Sequence, residues 1–467
     1  MAVRTSRCYA LMAGTATLLM ALFVGTPCLA SPPGWSVRQL TVDPMAHFSP
    51  MTSGDRVVWT RGNGNDNQIC TWTPSSGTRV LTSGDRDRMF PVVSGDRVAW
   101  QARDDEGHVQ IYTWHAGDIA PTQVTNIYPF LYFAFLHPDI SGDRIVWQSA
   151  TWKAGDSEVT PLPGNGMYPR VSGNRIVWQG SDQQIQIYTW KVGDPASTAL
   201  TNDGLTNSSP QVSGDRVVWM GGPYDSQQVF TWKAGDATPT RLTSGANDNA
   251  VPQVSGDRVA WLGVDSSYYQ VFTWKAGDAT PTQLTSDPHN HDAVHVSGDR
   301  IVWQGFDGFV AQIFTWKAGD LAATRLTNDL HEHRESSLSG DRVSWVGYDG
   351  SNYQIFTANP LPKATVYTPV APSTMYRGRS ATIYGYVAPR HTSGTYLATL
   401  KFYLRNSHGV YVFHNSVSAR RYYGSTTRTK YSARVSLPHT GRWRVRAYHS
   451  DAGHAPSYSG YDYITVK

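Results

Sequence analysis

The sequence predicts an all-β protein, a propeller of eight blades (seven on the alternative count) followed by a small β-sandwich. Three observations predict it. A unit Ser-Gly-Asp/Asn-Arg-(Val/Ile)-x-Trp recurs eight times, beginning at Ser53, Ser94, Ser141, Ser172, Ser213, Ser255, Ser297 and Ser339. Successive units start 41, 47, 31, 41, 42, 42 and 42 residues apart, a period that suits four-stranded blades. Fifteen of the 17 tryptophans fall at two positions of the repeat, as core aromatics between stacked sheets should.

The unit around Ser213 shows how a blade is built. Ser209-Pro210-Gln211-Val212 enters as a first strand, and Gly214-Asp215 turns, with Gly where a primed hairpin needs it. Arg216 to Trp219 returns, Gln227 to Trp232 forms a third strand, and Thr240-Arg241-Leu242-Thr243 closes the blade. The last unit stops at Phe356 with three strands. Its fourth is expected from Ser36-Val37-Arg38-Gln39-Leu40-Thr41, which would shut the ring and leave no sheet edge. The unit at Ser141 is about ten residues short in its middle hairpin, the reason for the seven-bladed alternative.

The chain of 467 residues is too long for one core. Residues 1–30 read as a secretory signal: Arg4 and Arg7, an apolar run from Leu11 to Val24, then Cys28-Leu29-Ala30 before the cleavage point. No later stretch is long and apolar enough to span a bilayer. After cleavage Cys70 is the one thiol, which excludes an internal disulfide and reads as a small buried strand residue. Formal charge divides sharply, about −11 over residues 31–362 and +13 over 363–467.

The propeller repeat, with its Leu-Thr pair, its Pro and its Ser-Gly-Asp-Arg turn, resembles the TolB-type (WD40-like) propeller repeat over residues 31–358. That resemblance implies the fold and no particular activity. Pro360, Pro362, Pro369 and Pro372 mark a stiff linker over residues 359–372. Beyond it, alternating stretches such as Ala381 to Val387 and Trp443 to Tyr448 predict a sandwich over residues 373–467. The stretch from Val370-Ala371-Pro372-Ser373 to the terminal Ile464-Thr465-Val466-Lys467 resembles Ig-like modules of secreted actinobacterial surface proteins, which implies envelope display. Arg420, Arg421, Arg428, Arg434, Arg442, Arg444 and Arg446 predict a basic surface among tyrosines, suited to an anionic cell-wall polymer. Export disfavours a nucleic-acid partner.

No nucleophile elbow, phosphate loop or zinc-protease helix is present. Six places before each repeat Ser stand His47, Arg88, Phe135, Gly166, Asn207, Asn249, His291 and His333, with His289 and His331 two places earlier in two units. Imidazoles converging at the channel would hold a divalent transition metal. Such pairs are similar to those of oligogalacturonate lyases, TolB-like propellers with a histidine-bound metal. The expected function is therefore a secreted, non-catalytic envelope protein that needs no cofactor. Its propeller would bind an extracellular protein or glycan, and its basic sandwich would sit on the wall. The alternative is a metal-dependent polyuronide lyase using those histidines.

Overall fold

The computed structural model describes residues 31–467 apart from 63, 65, 127–135, 165, 182, 183 and 246. The signal reading of residues 1–30 and the place of Phe135 lie outside the described residues.

Eight antiparallel four-stranded sheets form the propeller. Their innermost strands are His47–Ser53, Arg88–Ser94, Asp139–Ser141, Met167–Ser172, Asn207–Ser213, Asn249–Ser255, His291–Ser297 and His333–Ser339. Trp35–Gln39 pairs antiparallel with Tyr353–Pro360 and completes the last sheet. The short blade keeps four strands because Trp147 turns directly into Ala150. Trp59, Trp100, Trp147, Trp178, Trp219, Trp261, Trp303 and Trp345 are among the largest buried side chains.

The repeat motif is an inter-blade clasp. Each repeat Ser accepts a hydrogen bond from the Gly amide of the next blade, from Gly95 on Ser53 at 2.9 Å round to Gly54 on Ser339 at 2.9 Å. The eight motif glycines have φ between 55° and 59°, which a side chain would strain. Each Arg reaches the next blade's Asp, as in Arg56–Asp96 (2.7 Å) and Arg258–Asp299 (2.8 Å), and Arg342 closes the ring on Asp55. Where the motif reads Asn174, Arg144 meets its amide oxygen at 3.4 Å instead. The Arg175, Arg216 and Arg258 guanidinium groups also lie over Trp232, Trp274 and Trp316 of the following blade, 5.7 Å from the ring centres.

A second repeated feature carries no sequence motif. Four places before each repeat Ser, a non-glycine residue has φ between 43° and 54°: Ser49, Phe90, His137, Tyr168, Ser209, Val251, Ala293 and Glu335. In seven of the innermost strands the pairing register shifts beside it, as between Phe48 and Met51, so each of these seven carries a bulge that bends it about the axis.

The C-terminal region departs from the expected sandwich of two sheets. It is one mixed sheet of nine strands. Tyr411–Tyr422 pairs with Tyr396–Arg405 along most of its length, then with Thr429–Ser436 over Arg420 to Tyr422 alone. This shared strand makes the halves continuous, and they fold over one core that includes Ile383, Leu400, Phe402, Tyr431, Trp443 and Val445. Tyr431 donates its hydroxyl to the Tyr367 carbonyl at 3.1 Å, so this buried phenol is satisfied.

Candidate metal centre

The histidines expected to meet at the channel are engaged separately, each within its own blade. The Trp59 indole N–H donates to His47 Nδ1 at 2.8 Å, and Trp345 donates to His333 Nδ1 at 3.0 Å. An indole is a donor only, so each Nδ1 is an acceptor and each Nε2 carries the proton. Those Nε2 atoms lie 3.1 Å from Asp43 and 3.0 Å from Asp329. Asn207 and Asn249 hold the same place in their blades and accept from Trp219 and Trp261 at 3.2 and 3.1 Å. Arg88 instead caps backbone carbonyls of Ser83 and Arg86. At His47, Asn207, Asn249 and His333 the register position therefore anchors a tryptophan, whereas the Trp303 indole N–H facing His291 has no partner. His291 lies edge-on to Trp303 and near Asp287, while His289 and His331 lie edge-on to Phe306 and Tyr348. None of these five histidines belongs to a metal-competent group among the described residues.

Three ionisable side chains share a further register position. Two places before the repeat Ser stand Asp139, Arg170 and His295 on three of the innermost strands. Burial pushes the Asp139 carboxyl up, with Arg170 opposing it. Burial, with Arg170 adding, pushes His295 down to about 4.

The seven arginines divide between the two halves of the C-terminal sheet. Arg420 and Arg421 stand on the shared strand, Arg428 and Arg434 at or beside Thr429–Ser436, and Arg442, Arg444 and Arg446 on Gly441–Asp451. Several already face tyrosines of their own domain. Arg428 lies 4.4 Å from the Tyr386 ring centre, Arg444 4.0 Å from Tyr461 and Arg446 4.1 Å from Tyr458.

A different cluster has the chemistry expected of the channel. His391, His449, Asp451 and His454 each offer a ligand atom, all within 4.8 Å of one another. Three come from one hairpin: the strand Gly441–Asp451 supplies His449 and Asp451, and His454 opens the strand His454–Tyr458. His449 and Asp451, two places apart on one strand, flank a register shift in its pairing with the strand of His454. The Gly453 amide donates to Asp451 Oδ1 at 2.8 Å and orients the carboxylate. His391 comes from the other half of the sheet, clamped by Thr429, whose hydroxyl accepts from the His391 amide at 2.7 Å and donates to its carbonyl at 3.1 Å.

Asp451 stands among the three rings, 3.1 Å from His391 Nε2, 3.3 Å from His449 Nε2 and 3.0 Å from His454 Nδ1. Burial would raise its carboxyl, but the Gly453 amide, His454 and His449 outweigh burial and hold it below the usual range. Burial, then the neighbouring His449, holds His391 below the usual imidazole range. His449 Nδ1 lies 2.6 Å from the Leu397 carbonyl oxygen, an acceptor only, so Nδ1 bears the proton. Its Nε2 faces Asp451 Oδ2 at 3.3 Å. That Nε2 and both His391 ring nitrogens are buried without a hydrogen-bond partner. Each such atom costs about 1–3 kcal/mol when left unpaired. A cation at the centre would give these nitrogens a common partner beside the carboxylate. Tetrahedral zinc, with bonds of about 2.0–2.1 Å, needs donor–donor edges of about 3.3 Å; the three His–Asp separations are of that size, within a donor set whose atoms lie within 4.8 Å of one another. The local signal was His449-Ser450-Asp451-Ala452-Gly453-His454, a short hairpin with ligands at its first, third and sixth places.

No family model matches the chain, and no curated protein matches its sequence. Solved structures similar to it are TolB and peptidase propeller domains. The propeller domain of the trilobed protease from Pyrococcus furiosus is 10% identical with a TM-score of 0.45, covering 67% of this chain and 95% of that one. A puromycin-hydrolyzing peptidase of Mycobacterium tuberculosis is 14% identical with a TM-score of 0.45, covering 65% of this chain and 58% of that one. TolB from Acinetobacter baumannii is 17% identical with a TM-score of 0.37, covering 61% and 67%. This chain thus spans little more than half of the whole peptidase, and likeness at these identities speaks to fold alone. The expected non-catalytic envelope role and its lyase alternative are corrected here. The solved structures it resembles are propellers of peptidases, and the histidines on which the lyase alternative stood are held apart, each within its own blade.

Proposed function

We propose that the chain is an exported metal-binding protein whose C-terminal domain holds one divalent transition metal, zinc by its donor chemistry, through His391, His449, Asp451 and His454. The observation that carries this reading is the His449 ring. Its Nδ1 proton is committed to the Leu397 carbonyl, and its buried Nε2 faces a carboxylate within a ring of further imidazoles. Three imidazoles and one carboxylate suit borderline ions such as zinc and leave calcium and magnesium poorly served. Four protein donors make the site closed, the pattern of ions that hold a fold together rather than activate water.

The test is metal analysis of the untagged protein after exposure to zinc and removal of free ion. About one equivalent is expected in the wild type and in His333→Asn, and none in His449→Ala or in the paired His391→Ala/His454→Ala variant. Wild-type protein that retains no zinc refutes the reading, as does metal that survives in the His449→Ala variant.

A further inference from the structure

The hairpin that supplies three of the four donors is also the surface on which the two domains join. Ala455 follows His454 directly. Its amide donates to the Pro362 carbonyl at 2.9 Å, and it pairs in parallel with Lys363 of the linker. One residue before Pro362, the Leu361 amide donates to the Gly34 carbonyl at 2.7 Å. Gly34 has φ 84° and sits so close to the hairpin that a Cβ there would lie 3.5 Å from both Ala455 Cβ and Pro456 Cδ. The next residue, Trp35, begins the strand that closes the propeller ring, paired with Pro360, and its ring lies under Arg300 at 4.9 Å. A continuous path of backbone contacts therefore runs from the His454 ligand through Ala455, Pro362 and Leu361 to the closing strand.

His391, the fourth donor, is anchored to the opposite half of the C-terminal sheet through Thr429. A metal bound by all four would tie the hairpin to that half. Without it, the hairpin tip meets the His391 loop through Asp451 and the ring contacts of His391 with His449 and His454, and three buried ring nitrogens there lack partners. We infer that metal occupancy locks the junction between propeller and C-terminal domain: the bound ion fixes the Asp451–His454 hairpin, and through Ala455 it fixes the linker and the propeller's closing strand. This rests on the metal reading and adds a role to it. The ion acts as a switch on how firmly the two domains are joined, set by metal supply outside the cell.

Linkage gives the size of the effect. If opening the junction requires the donor set to come apart, zinc at 100 times its Kd lowers the open population, and with it the exchange through that opening, by about 100-fold. Hydrogen exchange of the full chain reads this at Leu361 and at Trp35–Gln39, which hold no metal ligand. Zinc binding is measured by calorimetry on the same sample. The expected result is binding with exchange at Leu361 slowed by about 100-fold, alongside unchanged exchange in a distant blade such as Asn207–Lys233. Binding with unchanged exchange at Leu361 and Trp35–Gln39 overturns the lock and leaves the metal site standing. Absence of binding overturns both. The comparison is made by titrating wild-type protein, so no variant need fold; His391→Gln, which keeps the hairpin whole, should bind weakly and lose the exchange effect.

Discussion

Replacing Arg258 with Ala removes one of the eight clasps and measures what the motif contributes. The guanidinium donates twice to Asp299 Oδ1, at 2.8 and 3.1 Å, and lies 5.7 Å from the Trp316 ring centre. The Arg side chain is 7% exposed and Asp299 46%. That asymmetry decides the magnitude. The carboxylate returns to water when its partner goes, so the ion pair is discounted to about 1 kcal/mol. Stacking on Trp316 adds about 0.5–1 kcal/mol. Burial of the methylene stem adds roughly 1.5 kcal/mol at about 0.8 kcal/mol per CH₂. Arg258→Ala should therefore cost about 3 kcal/mol, a fall in melting temperature of roughly 4–6 °C for a domain this large. Calorimetry or near-ultraviolet circular dichroism would read it, the latter because the buried tryptophans report on blade packing. Asp299→Asn should cost less than about 1 kcal/mol, since Asn174 already serves Arg144. Ile119→Ser, at a side chain 98% exposed, should change stability by no more than about 0.5 kcal/mol. A melting temperature for Arg258→Ala within about 1 °C of wild type would refute the clasp.

Three further outcomes follow from the same structure. His333→Asn should be tolerated, as Asn207 and Asn249 show in sister blades, while His333→Leu strands the Trp345 indole N–H and should cost about 1–3 kcal/mol in equilibrium unfolding. Cys70 is buried, and burial pushes its thiol up to about 12. It should resist thiol reagents in the native protein at pH 8 and react once unfolded, and rapid native labelling would contradict this. The clasp carboxyls Asp96, Asp143, Asp215, Asp257 and Asp299 are held low, first by their Arg hydrogen bonds. Their stabilisation is complete above the unfolded carboxylate pKa of about 3.9 and is lost as pH falls through the lower folded values. The melting temperature should therefore drop steeply below about pH 4, and a flat acid limb would contradict it.

The propeller was legible because its clasp repeats residue by residue. Ser, Gly, Asp and Arg each make one inter-blade contact, so each recurs and the period emerges. The bulge beside Ser49, Phe90 and Glu335 was invisible, because eight different residues adopt its strained backbone and no glycine marks it. At the histidine register, three imidazoles drew attention to metal chemistry. The equivalent Asn207 and Asn249 pointed to the actual requirement, an acceptor for an indole N–H. The metal-competent cluster escaped notice because His391 lies 58 places before His449 and is brought to it only by the folding of one sheet on itself. The same continuity hid the single mixed sheet, since alternation of apolar residues identifies strands and not which strand is shared.

The central claim is that the C-terminal cluster is a tetrahedral metal centre, and titration of the protein with cobalt(II) tests it most directly, because the visible spectrum reports coordination geometry. The expected result is intense tetrahedral bands that saturate at about one equivalent and are displaced by zinc. A pale octahedral spectrum that grows without saturation would contradict it.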